Sequence, residues 1–378
     1  MSPKRRTNNG VAELSVYLHI PFCERKCPYC AFTSYARGNG AKDLYLGRLA
    51  DELAFWRSKL GGISARTLYI GGGTPSCLSL SQWETLSEII EKNIDLSACT
   101  EFTVEANPNS LTKDLLSFWE SVGVSRVSLG VQSLDDEELQ FLGRLHDSKR
   151  ALEAVENAVE AGFSVNADFM FGLPCQTLSK WKSTLETAVK LGLSHISLYQ
   201  LTIEEGTPFA SRDFELPEGY EQYLFAQEYL PERGYVQYEV ANFALSGKES
   251  RHNLNYWRGG DYLGAGISAS GYLDGVRCTN ESGFEEYCAL VAEKGNAVVF
   301  REKLEPDAGA REASVLQLRM TEGINREKYR AKYGETAEKY VLSVLENFPC
   351  GLYSVTPERI ALTQAGMRVA NRIWTELV

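Results

Sequence analysis

Between residue 13 and about residue 203 the chain repeats one pattern six times, a short β-rich run followed by a longer amphipathic one. Parallel strands need crossovers of a dozen or more residues, and helices supply them. The strands read as Leu14 to Ile20, Thr67 to Gly71, Phe102 to Ala106, Arg126 to Val131, Ser164 to Phe171 and His195 to Leu201. Helical spacing runs over Asp43 to Leu60, Ser81 to Lys92, Leu111 to Val122, Ser148 to Ala161 and Leu178 to Leu191. Such units in one order keep one crossover hand and gather all strand C-termini at one end, which favours an α/β barrel or partial barrel. That end collects His19 to Cys23, Gly71 to Pro75, Glu105 to Pro108, Gln132, Asp168 and Tyr199, and chemistry is expected there.

The pattern changes after Pro208. A helical Gly219 to Glu232, a short strand Tyr235 to Phe243 and a glycine-rich stretch Gly259 to Gly275 lead into a mostly helical tail. The expected division is an N-terminal tail over 1–12, a barrel over 13–210, an extension over 211–300 and a small helical, winged-helix-like domain over 301–378. Hydrophobic residues at 44% and charged residues at 24% are a globular balance, so the chain should fold throughout. A net charge of −11 repels phosphate backbones, so no nucleic-acid partner is expected. Lys4, Arg5 and Arg6 open the chain, but no apolar core follows them and no run of about 18 apolar residues occurs, so the expectation is a cytoplasmic protein without a transmembrane segment.

Nine cysteines are an odd number, and six of them lie scattered as small buried thiols would. The other three, Cys23, Cys27 and Cys30, stand in a Cys-x3-Cys-x2-Cys spacing on the loop after the first strand. Three thiolates can hold three irons of a [4Fe–4S] cube and leave the fourth open. A structural zinc is the alternative; it calls for four closed ligands, and Phe32 stands at the next position.

The loop Cys23-Glu24-Arg25-Lys26-Cys27-Pro28-Tyr29-Cys30 resembles the signature of the radical S-adenosylmethionine superfamily. The resemblance implies a partial (β/α)6 barrel, a cluster on the three cysteines, and S-adenosylmethionine bound to the open iron and cleaved to a 5′-deoxyadenosyl radical. Tyr29 matches the aromatic position beside the adenine. On chemical grounds Gly72 and Gly73, followed by Thr74, allow backbone to approach the methionine amino group. Glu105 is placed to accept from ribose hydroxyls. Arg144, near Gln132, is suited to the methionine carboxylate, although a solvated helix charge is the alternative. Asp168, inside an apolar run, is costly unless something polar meets it. Tyr17 and Phe32 flank the cysteine loop and complete the cofactor-binding set, Tyr17 being equally suited to the core.

Four further motifs narrow the likeness: Tyr17-Leu18-His19-Ile20-Pro21-Phe22-Cys23, Gly71-Gly72-Gly73-Thr74-Pro75, Gly143-Arg144-Leu145-His146 and Phe171-Gly172-Leu173-Pro174. Together they are similar to the branch that holds the oxygen-independent coproporphyrinogen III oxidases and the HemW-type haem chaperones. The oxidases imply a further cysteine where this chain has Phe32, and a longer arm before the barrel. His252-Asn253-Leu254-Asn255-Tyr256-Trp257 resembles the chaperones' His-Asn-x-x-Tyr-Trp motif, which implies haem near His252; a loop histidine packed on the barrel is the alternative. The resemblance thus implies a haem carrier that delivers to haem-requiring proteins, among them membrane-bound respiratory enzymes, with an electron donor of flavodoxin or ferredoxin type. The alternative function is the oxidative decarboxylation of coproporphyrinogen III.

Overall fold

A computed structural model describes residues 13–378, and the expected tail over 1–12 lies outside the described residues. Six parallel strands carry the barrel: β1 (Glu13–Ile20), β2 (Ser64–Gly72), β3 (Glu101–Ala106), β4 (Arg126–Gln132), β5 (Ser164–Phe171) and β6 (His195–Gln200). The crossovers are α1 (Asn39–Leu60), α2 (Leu80–Asn93), α3 (Lys113–Ser121), the short α4 (Asp136–Phe141) with α5 (Ser148–Glu160), and α6 (Leu178–Lys190). Ser79, Thr112, Asp135, Asp147 and Thr177 accept backbone amides at the starts of α2 to α6, so each helix begins where a short polar side chain replaces the missing turn.

The barrel is open, because β1 and β6 do not pair with each other. Beyond β6 come α7 (Tyr220–Tyr229), β7 (Val236–Gln237), β8 (Asn242–Ala244), α8 (Arg251–Trp257), β9 (Tyr262–Ala265), β10 (Ser270–Leu273), β11 (Val276–Asn280), α9 (Phe284–Lys294) and β12 (Val298–Lys303). The sheet runs β12-β11-β10-β9-β1-β2-β3-β4-β5-β6-β8-β7, with β9 parallel to β1 and β8 antiparallel to β6. The single strand expected over Tyr235 to Phe243 is instead the pair β7 and β8. Their turn lets the Glu239 carboxylate accept the Ala241 amide. The glycine-rich stretch holds β9 and β10, which pack so closely that a Cβ on Gly264 would fall on Ser270 backbone.

Each barrel strand alternates. Val16, Leu18, Leu68, Ile70, Val104, Val127, Leu129, Val165, Ala167, Ile196 and Leu198 join one apolar core with the crossover helices. The opposite faces carry Tyr69, Thr103, Glu105, Arg126, Ser128, Asn166, Asp168, Ser197 and Tyr199, which line a cavity. A closed eight-stranded barrel fills its interior with branched apolar layers; this one is lined with polar groups.

The tail consists of α10 (Pro306–Leu318), β13 (Ile324–Asn325), α11 (Arg326–Tyr333), α12 (Glu335–Leu345), β14 (Tyr353–Val355), β15 (Arg359–Leu362), α13 (Gln364–Met367) and α14 (Ala370–Leu377). Its helices and the antiparallel sheet β13-β15-β14 enclose a separate core around Leu318, Tyr329, Val341, Leu345, Ile360 and Ile373. The sheet is the wing to the helices, in keeping with the winged-helix-like, mostly helical expectation.

Candidate functional site

The cysteine loop leaves the end of β1 and is fixed at its base by backbone. Phe22 bridges Tyr35, the Cys23 amide donates to the Tyr35 carbonyl at 3.1 Å, and the Tyr35 amide donates to the Pro21 carbonyl at 2.7 Å. The amides of Gly73 and Thr74 donate to the carbonyls of Ile20 and Phe22 at 2.9 and 2.7 Å. The glycines at the end of β2 are therefore needed for a reason other than cofactor approach. A Cβ on Gly73 would lie 2.6 Å from the Phe22 carbonyl oxygen, and one on Gly71 would lie 2.6 Å from the Glu105 carboxyl carbon. Gly72 has φ +108°, and its Cβ would fall on the His19 imidazole. What presses on all three is the protein itself.

The loop's far side is tethered across the barrel mouth. Arg25 donates to the Gly143 carbonyl at 2.7 Å, and the Asn109 amide donates to Glu24 at 2.5 Å. Gly143, with φ +68°, would put a Cβ 2.8 Å from the Pro28 ring. From beyond β6, the Phe209 amide donates to the Pro28 carbonyl at 3.1 Å, and the Phe209 ring lies 6.2 Å from Tyr29.

Cys23, Cys27 and Cys30 face a cavity of about 570 Å³, together with Tyr29, Phe32, Gly72, Gly73, Thr74, Glu105, Gln132, Arg144 and Asp168. The sequence-predicted residues thus meet in one space, except Tyr17 and His252, which do not line it. Tyr17 donates to, or accepts from, His19 Nδ1 at 2.9 Å in the wall. Phe32 is 71% exposed at the rim.

Arg144 spans the mouth. Its Nη2 donates to the Gly130 carbonyl at 2.6 Å, and its Nη1 lies 3.5 Å from Cys27 Sγ and 3.4 Å from the Tyr29 hydroxyl. Burial raises the Cys30 thiol, and its thiol neighbours Cys23 and Cys27 raise it further. Among the described residues no group of His, Cys, Asp and Glu closes round a single metal ion. A cube distributes three protein sulfurs over three irons, whereas a structural zinc calls for four closed ligands. Thr74 Oγ1, 3.4 Å from Cys23 Sγ, is placed to donate to that sulfur.

Deeper in, Glu105 accepts from the Tyr69 hydroxyl at 2.7 Å and the Gly72 amide at 2.9 Å, and burial pushes its carboxyl up to about 7 despite those bonds. Asp168, also raised by burial, accepts from Asn166 Nδ2 at 2.8 Å. Gln132 has φ +70°, a strained value for a residue with a side chain, at the turn that opens the β4 end into the cavity. Among the residues that sequence reasoning did not assign to the site are Thr103, Arg126, Ser128, Asn166 and Ser197, further down the same wall. Their signal was available, since all stand at alternate positions of the predicted strands.

His252 lies at the other end. It sits on α8, 1% exposed, bonded to Thr67 at 2.8 Å and to Tyr256 at 2.7 Å, and the α8 amides of Arg251 and His252 donate to Glu101 at the start of β3. His252 is thus on a helix at the strand N-termini rather than on a loop, with both ring nitrogens engaged. The other three histidines are alike. His19, His146 and His195 are each 6% exposed or less, and each has both ring nitrogens in contact with a polar partner.

Comparison with known proteins places the chain. The sequence pattern of the Radical SAM superfamily matches residues 17–188, from β1 into α6. The chain is similar to the heme chaperone HemW of Bacillus subtilis (strain 168), 35% identical over 370 residues that span 95% of this chain and 98% of that protein. It is also similar to the heme chaperone HemW of Escherichia coli (strain K12), 41% identical over 263 residues covering 68% of this chain and 70% of that one. Among solved structures, the radical SAM coproporphyrinogen III oxidase HemN of Escherichia coli superposes with a TM-score of 0.85 at 24% identity, over 97% of this chain and 90% of that one, a likeness of fold. With a third of its residues shared along nearly the whole length of a curated relative, and with the superfamily's pattern over its barrel, the chain belongs to the HemW family of radical SAM proteins.

Proposed function

We propose that this chain is a haem chaperone of the cytoplasm that carries a [4Fe–4S] cluster on Cys23, Cys27 and Cys30, binds S-adenosylmethionine beside it, and takes up haem for delivery to haem-requiring proteins. The observation that carries the reading is the set of three thiols at the mouth of a polar cavity, in a chain that belongs to the HemW family. When bound and reduced, the cluster supplies one electron to the sulfonium of the cofactor, the chemistry of the superfamily. The chain's own residues do the rest. Arg144 offers its guanidinium to a carboxylate at the mouth, Glu105 and Asp168 offer acceptors to hydroxyls, Tyr29 gives an aromatic face, and Gln132 adds an amide.

Haem has a candidate surface on the rim. Phe32, Leu145, Ile203 and Tyr199 are exposed, apolar or aromatic, and lie just past the cysteine loop, between α4 and α5, after β6 and near the end of β6. A flat macrocycle of low polarity suits such a rim. Among the described residues no helix is long and apolar enough to cross a membrane, so delivery to a membrane-bound respiratory enzyme would occur by docking. An electron donor of flavodoxin or ferredoxin type would reduce the cluster.

One sample tests both readings. Protein reconstituted without air is titrated with haemin and, separately, reduced and incubated with S-adenosylmethionine and coproporphyrinogen III. A Soret shift that saturates, with no protoporphyrinogen formed, is the expected result. Turnover of the coproporphyrinogen would make the chain an oxidase, and the absence of any Soret shift would remove the carrier.

A further inference from the structure

Of the motif on α8, Asn253 lines the cavity just described, but His252 and Tyr256 do not, and their chemistry points elsewhere. Thr67 Oγ1 donates its single proton to Ser15 Oγ at 2.8 Å, so towards His252 it can only accept. His252 Nδ1 must then carry the ring proton, which leaves Nε2 with the lone pair, and that lone pair receives the Tyr256 hydroxyl at 2.7 Å. Protons run one way, from Tyr256 through His252 and Thr67 to Ser15. Burial holds the imidazole down at about 3, so it stays neutral and the direction is fixed.

An axial ligand to haem iron needs a free lone pair and room for the macrocycle. His252 has neither. Its ring lies 5.0 Å from the Tyr69 ring and 4.8 Å from that of Tyr256. Glu101 holds α8 from below by accepting its first amides at 3.1 and 3.0 Å. Trp257 is covered in turn by the Arg319 guanidinium, 4.4 Å from the ring. Helix, relay and carboxylate together close the end of the barrel opposite the cysteines.

We propose that His252 and Tyr256 seal the floor of the barrel beneath the cofactor chamber, and that His252 does not ligate the iron of any haem this chain binds. The second half rests on the haem-carrier reading; the first does not. The seal has a use, because it keeps water from entering a radical-generating chamber from below.

The full chain is reconstituted anaerobically as wild type, His252→Phe, His252→Gln and Tyr256→Phe, and haemin binding, thermal midpoint and backbone hydrogen exchange are measured on each. Every variant that keeps its cluster absorbance should bind haemin with the same Soret maximum and within about twofold of the wild-type Kd. His252→Phe should lower the thermal midpoint by about 3 °C or more and speed exchange over 250–257, with partial recovery in His252→Gln. Loss of the Soret shift in a folded His252 variant would overturn the claim about the ligand. If the wild type binds no haemin, the carrier reading fails, while unchanged exchange over 250–257 in His252→Phe would independently overturn the floor.

Discussion

Glu105 carries two demands that work against each other. It must be deep enough to hold the end of β2 through Tyr69 and the Gly72 amide, yet depth disfavours its charge and puts its carboxyl at about 7. An unfolded glutamate ionises near 4.5, so between about pH 4.5 and 7 the unfolded chain releases a proton that the folded one keeps. Stability is lost as pH rises through that window, and above 7 the loss is complete. Glu105→Gln does not titrate. Relative to wild type it should therefore gain about 2 to 3 kcal/mol between pH 5 and pH 8, measured by urea unfolding without cofactor. A difference that is the same at both pH values would sink the assignment. The buried histidines act with the opposite sign: His146 and His252 are held at about 4 and about 3 by burial, so the stability they allow is present above 6.5 and is lost as pH falls towards those values.

Among the elements, the cysteine loop is the least supported by its own sequence, since it has no helix or strand to hold it. Besides its backbone anchors it draws support from the segment after β6, which lies outside the stretch matched by the superfamily pattern. Phe209 is fully buried among Leu142, Met170, Leu173 and Leu201, with the Tyr29, Phe141 and Phe214 rings against it. Phe209→Ala should cost on the order of 3 to 5 kcal/mol locally, by cavity formation beneath Tyr29. After reconstitution and exposure to a chelator the variant should retain less iron than wild type, with far-UV ellipticity unchanged; equal retention would show that the loop holds itself. The strands and long crossovers were legible from periodicity, as were the three cysteines and the residues at the strand ends. The polar barrel interior was legible too, in runs such as Ser164 to Phe171, where Asn166 and Asp168 alternate with Val165, Ala167 and Phe169, but only Asp168 stood out because a charge is the costlier burial. Helix α8 was not: it is seven residues long, too short for a period to emerge, and it is held by Glu101 from a strand 150 residues earlier. Nor could spacing reveal that a tyrosine in the same turn would occupy the lone pair of His252.

At the scale of the whole molecule, barrel and tail have separate cores, and polar contacts help to join them. Glu239, fully buried, pairs with Arg319 at 2.6 Å, while the backbone of Val240 donates to the Arg319 carbonyl and that of Thr321 to the Tyr238 carbonyl. The same guanidinium lies over Trp257 of α8 and Trp374 of α14, so one side chain touches the extension, the floor helix and the last helix. Burial raises the Glu239 carboxyl against the pull of Arg319, so desolvation of the carboxylate outweighs the attraction of its partner. Removing one partner of such a pair costs about 3 to 5 kcal/mol, because the other is left buried and uncompensated, whereas removing both costs much less. Arg319→Met should therefore split thermal unfolding, with the tail melting in a separate, earlier calorimetric transition, and Glu239→Gln added to it should bring the two transitions back together. If Arg319→Met melts in the wild-type manner, the two cores are joined by apolar packing, and the tail cannot be released by a change at this one contact.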